Sequence, residues 1–437
     1  MTAIALAFAL LCVVLLGPTP AQSTDAAGES QVEAAPEMTG GAGETPSQPP
    51  LEIHGFVQYN AALRPFRSGG YEAEWLKAET RAQLDLSRSS PELELRAKLD
   101  LLADPVTDEH TVDLREAYVN YYGRNLDLRI GKQIVTWGVG DLLFLTDVFP
   151  KDWTAFLTGA PVEYLKAGAT AVRANYAVRG VDIEALVVPK FEPDNFPSPP
   201  RLAAFDPFPA AAARQRVLPG SALSDREVGL RVSRMLRDYS TSFYAFGGWD
   251  PRPSFAYDPA TNTGTVSNRR LRMVGASTQG PVGKNLLSAE VAYYRTEDTA
   301  GTDPGTENPS VRTLVALERV LKDQRTVSAQ LYQEWALKHG AYERTLPPGS
   351  RARDAVLSAL TLRFRDSLRG DTVKPTVFAY YNFSEADYFV QAEVRRRLAE
   401  GAWWTVGLNV FGGRHGDSLF GQFNPNDNLY ATVRYAF

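Results

Sequence analysis

From residue 51 onward the chain alternates apolar and polar residues with a period of two. This pattern limits the fold more than any other feature. Leu76, Ala78, Thr80, Ala82, Leu84 and Leu86 alternate with Lys77, Glu79, Arg81, Gln83 and Asp85. After Ser89-Ser90-Pro91 the pattern repeats, with Leu93, Leu95, Ala97, Leu99 and Leu101 against Glu94, Arg96, Lys98 and Asp100. Strict alternation over such lengths describes a strand with one apolar and one polar face. A helix would spread the same residues over several faces. The pattern returns at 126–130, 181–187, 227–233 and 388–397.

Alternation alone fits a soluble sandwich and a membrane barrel equally well. Strand length separates them. The candidate strands run to roughly 10–14 residues, against about five or six in soluble sheets, and a tilted membrane-spanning strand needs about nine to eleven. The links also alternate in length. Short ones are expected at 89–90, 123–124, 179, 237–238, 281–284, 322–323, 366–371 and 399–401. Longer ones are expected at 63–70, 103–110, 138–160, 191–224, 251–267, 296–310, 338–354 and 412–425, and only 384–385 is short where a long link is due. Short turns on one side and long loops on the other are the layout of bacterial outer-membrane barrels. The expected fold is all-β, a transmembrane antiparallel β-barrel over 51–437 with about 18 strands, about 16 being the alternative count. The last strand ends in Leu429, Val433, Tyr435 and Phe437 on one face. Phe437 with Tyr435 reads as a membrane-insertion signal for the barrel-assembly machinery.

The N-terminus reads as an address. Residues 3–17 are almost wholly apolar and precede Thr19-Pro20-Ala21, so 1–21 is expected to be a signal peptide. The only Cys of the chain, Cys12, lies inside it. Residues 22–50 carry Asp25, Glu29, Glu33, Glu37 and Glu44 with no basic residue. They read as a disordered acidic periplasmic tail, and a periplasmic partner could dock there. A net charge of -5 gives no basic footprint for nucleic acid. His54, His110, His339 and His415 have no metal-ligand spacing. No catalytic motif is visible, so no enzyme activity, metal or cofactor is expected.

The polar faces carry the functional expectation. A barrel of about 18 strands is too wide for side chains to fill. Lys77, Glu79, Arg81, Glu94, Arg96 and Lys98 from two early strands would therefore line water. So would Asp127, Arg129, Glu227, Arg231, Arg395 and Arg397 from later ones. Their mixed signs favour cross-strand ladders, and a small excess of Arg leans towards anionic solutes. The link 138–160 is too apolar to float in water. It is expected to fold into the barrel as a constriction. Its apolar residues Phe144, Phe149 and Trp153 would pack on the wall, and Asp141, Asp147, Lys151 and Asp152 would face the water path. The link 191–224, with seven Pro, is the other candidate cap.

The run Arg129-Ile130-Gly131-Lys132-Gln133-Ile134-Val135-Thr136-Trp137-Gly138, followed by Phe149-Pro150-Lys151-Asp152, resembles a large family of uncharacterised porin-like bacterial outer-membrane proteins. In that family an Arg-x-Gly-x-Gln strand runs into Trp-Gly and then an Asn-Pro-x-Asp-like loop. Arg115-Glu116-Ala117-Tyr118-Val119 also resembles its strands. The close match covers about forty residues. Phe149 stands where Asn is usual, so a role of that Asn does not carry over. The resemblance implies a barrel in the bacterial outer membrane, in contact with its lipid, and passive passage of small solutes. It names no solute. The alternative is a non-channel scaffold barrel that sheathes or docks a periplasmic or lipoprotein partner.

Overall fold

The alternating segments become eighteen strands. A computed structural model describes residues 51–437 except 200, 322, 323 and 347. The expected signal peptide with Cys12, the tail 22–50 and the 322–323 turn lie outside the described residues. The first seven strands are β1 (Glu52–Arg64), β2 (Glu74–Ser89), β3 (Leu93–Asp104), β4 (Glu109–Tyr122), β5 (Leu126–Gln133), β6 (Ala169–Val178) and β7 (Val181–Val188). After a long link come β8 (Glu227–Leu236), β9 (Tyr239–Trp249), β10 (Arg270–Val282), β11 (Asn285–Thr296), β12 (Ser310–Val320) and β13 (Thr326–Ala336). The last five are β14 (Val356–Arg365), β15 (Val373–Asn382), β16 (Asp387–Ala399), β17 (Ala402–Gly413) and β18 (Asn428–Ala436). Each pairs antiparallel with its neighbours in chain order. The terminal strand pairs with the first from Phe56↔Ala436 to Leu63↔Leu429, which closes an 18-stranded barrel.

The tight turns follow from local chemistry. Arg179 and Gly180 join β6 to β7 with φ of 50° and 75°. A two-residue hairpin of this hand needs positive φ at both positions, and Gly adopts it without strain. Arg237, Gly283 and Gly401 supply positive φ in three more of the short turns.

Two long links differ from expectation. Residues 105–108 form a short turn, because β3 and β4 continue as a hairpin beyond the expected loop. Residues 250–269 are not a simple loop. They hold a hairpin, Ser254–Asp258 with Thr263–Ser267, and Ala213–Val217 joins it in parallel as a small separate sheet. In contrast, β5 and β7 have only 8 residues each, since each gives way to a long link.

The pleat sorts side chains to two faces. Leu95, Ile130, Leu230 and Val274 are 42–54% exposed. Their chain neighbours Arg96, Arg129 and Arg231 instead bond to residues of adjacent strands. A closed barrel leaves no sheet edge and satisfies its own backbone, and an apolar exterior then belongs in hydrocarbon. This is an outer-membrane β-barrel.

Candidate functional site

Residues 134–168 leave the wall after β5 and rejoin it at β6. Between those points they bond to strands right around the barrel. The Asn60 side chain of β1 donates to the Gly159 carbonyl at 3.1 Å. Asn409 of β17 and Asn428 of β18 both donate to the Leu157 carbonyl, at 3.2 and 3.0 Å. Gln330 of β13 accepts from the Asp141 N–H and donates to its carbonyl, both at 2.8 Å. Glu290 of β11 accepts from Val139 N at 2.8 Å and from the N–H and hydroxyl of Thr146 at 2.7 and 2.6 Å. Only a segment inside the barrel can reach opposite walls in this way.

The loop's apolar residues form two packed groups against the wall. Val135, Trp137, Leu145, Val148 and Phe149 join Leu186, Tyr244, Phe246, Met273 and Leu314. Phe156, Leu157 and Leu165 join Phe378, Phe389, Phe411 and Phe420 on the other side. Trp137 anchors the start. Its Nε1 donates to Glu184 at 2.6 Å, and its ring meets Phe149 edge-on at 5.1 Å. Phe149, where the resembling family has Asn, is thus a buried packing residue. The short helix α1 (Trp153–Leu157) starts at Asp152, whose carboxylate accepts from Ala155 N at 2.8 Å. Such a cap satisfies one of the free N–H groups of a first turn. Gly159 follows with φ of 73°, and a Cβ there would come within 2.2 Å of the Tyr430 ring.

The loop's charges are arranged differently from expectation. Asp147 and Lys151 do not face water. Their side chains are almost fully buried and pair at 3.0 Å, and Lys166 reaches the other Asp147 oxygen at 2.8 Å. The pair is hidden because Lys151 also donates to the Phe149 carbonyl at 2.6 Å and lies 4.6 Å from the Phe144 ring. Asp141 is half-buried and meets Arg363 of β14 at 2.8 Å. Phe144 and Trp153 are half-buried and meet edge-on at 6.0 Å.

The strand residues form ladders. Lys77, Glu79 and Arg81 do not line water as expected but are buried. They are hidden because Glu79 pairs with Lys77 at 3.0 Å and Arg81 at 2.9 Å, Arg81 also bonds to Asp100, and the inner loop lays Tyr164 over Arg81 at 3.9 Å. Glu94 accepts from Tyr122 at 2.5 Å. Lys98 bridges Glu116 at 3.0 Å and Asp85 at 3.8 Å. Glu227 is buried and accepts from Trp249 N at 3.1 Å. Asp127 is half-buried. Arg395 lies over the Trp403 ring at 4.3 Å. Arg397 is exposed beside a bulge in β16. Phe437 and Tyr435 are also exposed, and Phe437 exchanges backbone bonds with Gly55 at 2.9 and 3.0 Å.

Sequence reasoning missed the receiving groups Asn60, Glu290, Gln330, Asn409 and Asn428, and it did not foresee that Glu184, a polar-face residue of β7, receives Trp137. The available signal was an amide or carboxylate inside an otherwise regular strand, where such residues are depleted unless they bind something. It also missed Asp194 in the 189–226 link, which accepts from Lys151 N at 2.8 Å and Trp153 Nε1 at 3.0 Å. Burial pushes the Asp194 carboxyl up to about 6.

Comparisons agree with this architecture. The family described as "Protein of unknown function (DUF1302)" matches residues 102–437. No curated protein matches the chain in sequence. Among solved structures, it is similar to Pseudomonas aeruginosa OccK2 (OpdF) in complex with glucuronate, at 12% identity and a TM-score of 0.55 over 89% of this chain and 98% of that one. Acinetobacter baumannii OccAB3 gives 10% identity and 0.54 over 89% and 99%. Pseudomonas aeruginosa OccK5 (OpdH) gives 10% identity and 0.52 over 89% and 97%. At these identities the likeness is one of fold: a porin-like barrel.

Proposed function

We propose that this chain, which belongs to the DUF1302 family, is an outer-membrane channel for passive passage of small solutes, with residues 134–168 as its constriction. The observation that carries this reading is the loop's attachment to both sides of the lumen. A loop held on one wall by Glu290 and Gln330, and on the other by Asn409 and Asn428, narrows the barrel without closing a wall. Water then remains beside the charged inner faces of β3–β5, where the half-buried Arg96, Lys98 and Arg129 stand. Fixed charges in a narrow lumen are less screened than in bulk water and set selectivity there. Mixed ladders with a small Arg excess favour weak preference for anions. Phe437 and Tyr435 serve the barrel-assembly machinery, residues 1–21 direct export, and the acidic tail 22–50 is a docking element for a periplasmic partner.

Planar-bilayer recording of the purified protein tests the reading. Discrete conductance steps are expected. Their absence, both in the parent and in a variant whose 142–153 segment is a Gly-Ser linker, would leave the scaffold reading in its place.

A further inference from the structure

Arg129 on β5 and Arg173 on β6 are direct register partners. Side chains opposed in this way have Cβ atoms about 4.5–5.5 Å apart, and like charges so placed destabilise a sheet. Other arginines of the same wall have carboxylate partners. Arg96 holds Asp85 by two bonds of 2.9 and 2.7 Å. Arg231 holds Glu184 at 3.0 Å, and the other oxygen of Glu184 is taken by Trp137. Arg129 has only a neutral partner: its Nε donates to the Asn120 amide oxygen at 3.0 Å, and its guanidinium lies 4.1 Å from the Tyr118 ring. The Nε of Arg173 is buried and has no hydrogen-bond partner. Among the described residues no carboxylate forms an ion pair with either of them; Glu184, already held by Arg231 and Trp137, attracts Arg173 without bonding to it.

We infer that Arg129 and Arg173 together bind the oxyanion of a passing solute, a carboxylate or phosphate group being the shared chemistry. The inference deepens the channel reading by naming the solute's charged group, although binding itself requires no conduction. Two guanidinium forks side by side offer more donors than the wall can satisfy, and planar forks match oxyanions in bidentate geometry. An anion between them also removes the repulsion that the bare pair carries. A site in a water-filled lumen binds weakly enough to release its solute, as passage requires.

Calorimetric titration of the full-length protein in detergent with benzoate, phenyl phosphate and benzyl alcohol tests this. Both anions, or one of them, should bind and the alcohol should not, and which anion wins separates carboxylate from phosphate. The double variant Arg129→Gln with Arg173→Gln should bind about tenfold more weakly, as expected for loss of charge-assisted bonds. Arg351→Gln, in a loop, should bind like the parent. Thermal unfolding supplies a second readout. Arg173→Gln alone should unfold no earlier than the parent, because it relieves repulsion, whereas a merely structural arginine would lower the midpoint. Equal binding by parent and double variant, or no anion binding by the parent, overturns the inference. Anion binding by a protein that gives no conductance keeps the site and removes the channel reading. Conductance with unchanged binding in the double variant does the reverse.

Discussion

The two longest links of the barrel, 134–168 and 189–226, are both rich in apolar residues, yet they bury very different shares of them. The first buries Trp137, Leu145, Phe149, Phe156 and Leu157 against the barrel wall. The second buries Leu202 against Ala62, Leu76 and Tyr430 of the wall, but leaves Phe205, Leu218 and Leu223 exposed and contributes Ala213–Val217 to a small separate sheet. Apolar content therefore does not decide which loop enters a barrel. The difference lies in what receives the backbone. The inner loop meets inward-facing Glu290, Gln330, Asn409 and Asn428 on the strands. The outer link is tied mainly to other links. Asn426 exchanges bonds with both backbone groups of Ala203 at 2.7 and 2.8 Å, and Gln422 accepts from Phe205 N at 3.1 Å.

The largest test of this contrast is to remove each loop's apolar centre. Replacing 142–153 with a Gly-Ser linker should raise single-channel conductance several-fold, and any ion preference should weaken. Replacing 209–222 in the outer link with a linker of equal length should change conductance little. Equal effects from the two replacements would mean that both loops constrict the path. A larger effect from the outer link would make it the constriction.

Next in size is the removal of a receiving group. Glu290→Ala leaves three loop donors without their acceptor, and unpaired buried donors cost about 1–3 kcal/mol each. A loss on the order of 3 kcal/mol is expected, together with noisier open-channel current as the loop loosens. The outer counterpart is Asp206, a half-buried carboxylate that holds the exposed Arg214 at 2.6 Å and accepts from Phe208 N at 3.0 Å. Asp206→Ala should cost less than Glu290→Ala, about 1 kcal/mol, because its partner Arg214 reaches solvent and such pairs are screened. Urea unfolding of both variants from detergent decides the ranking.

These comparisons also mark what the sequence could and could not reveal. The strands, their two faces and the short turns are local. Period-two alternation and residues such as Arg179-Gly180 specify them within ten positions. The inner loop was legible as a loop needing burial, because Leu142, Leu143 and Phe144 are consecutive. Its docking was not legible, since Asn409 lies 252 positions from Leu157, the residue whose carbonyl it holds. Nor was the fate of Asp147 and Lys151. Charges in a loop ordinarily face water, and only the approach of Lys166 and the Phe149 carbonyl makes a buried group possible there. The 103–110 link looked long because its polar residues resemble a loop, yet β3 and β4 pair on through them.

A smaller effect should follow from glycine positions. Gly159→Ala puts a Cβ at positive φ and within 2.2 Å of Tyr430. A cost of about 1–3 kcal/mol is expected from the strained backbone and the displaced ring. Gly220 in the outer link has only the flexible Asp225 carboxylate nearby, 2.9 Å from such a Cβ, and its φ lies outside the left-handed region. Gly220→Ala should be close to neutral. A neutral Gly159→Ala would show that the end of the inner loop gives way easily, which would weaken its assignment as a fixed constriction.

The smallest expected effect concerns the point where the two links meet. Asp194 belongs to the outer link but accepts from Lys151 N and Trp153 Nε1 of the inner one. Burial raises its carboxyl to about 6, above the usual 3.8. The folded state therefore holds a proton between those two values where the unfolded chain does not. Stability contributed by protonation is complete below the unfolded value, falls as pH rises through the interval, and is gone above about 6. Acidifying from pH 7.5 to 5 should thus stabilise the fold at this site by about 1.4 kcal/mol, the worth of one pH unit below the folded value. The two bonds to the inner loop weaken over the same range, because a neutral carboxyl accepts less strongly than an ionised one. Global melting and loop mobility should consequently move in opposite directions with pH. Asp194→Asn should abolish both changes and, at pH 7.5, melt like the parent at pH 5. If Asp194→Asn keeps the parent's full pH dependence of melting and current noise, the junction between the links is not where the protein senses acid, and the two loops behave independently.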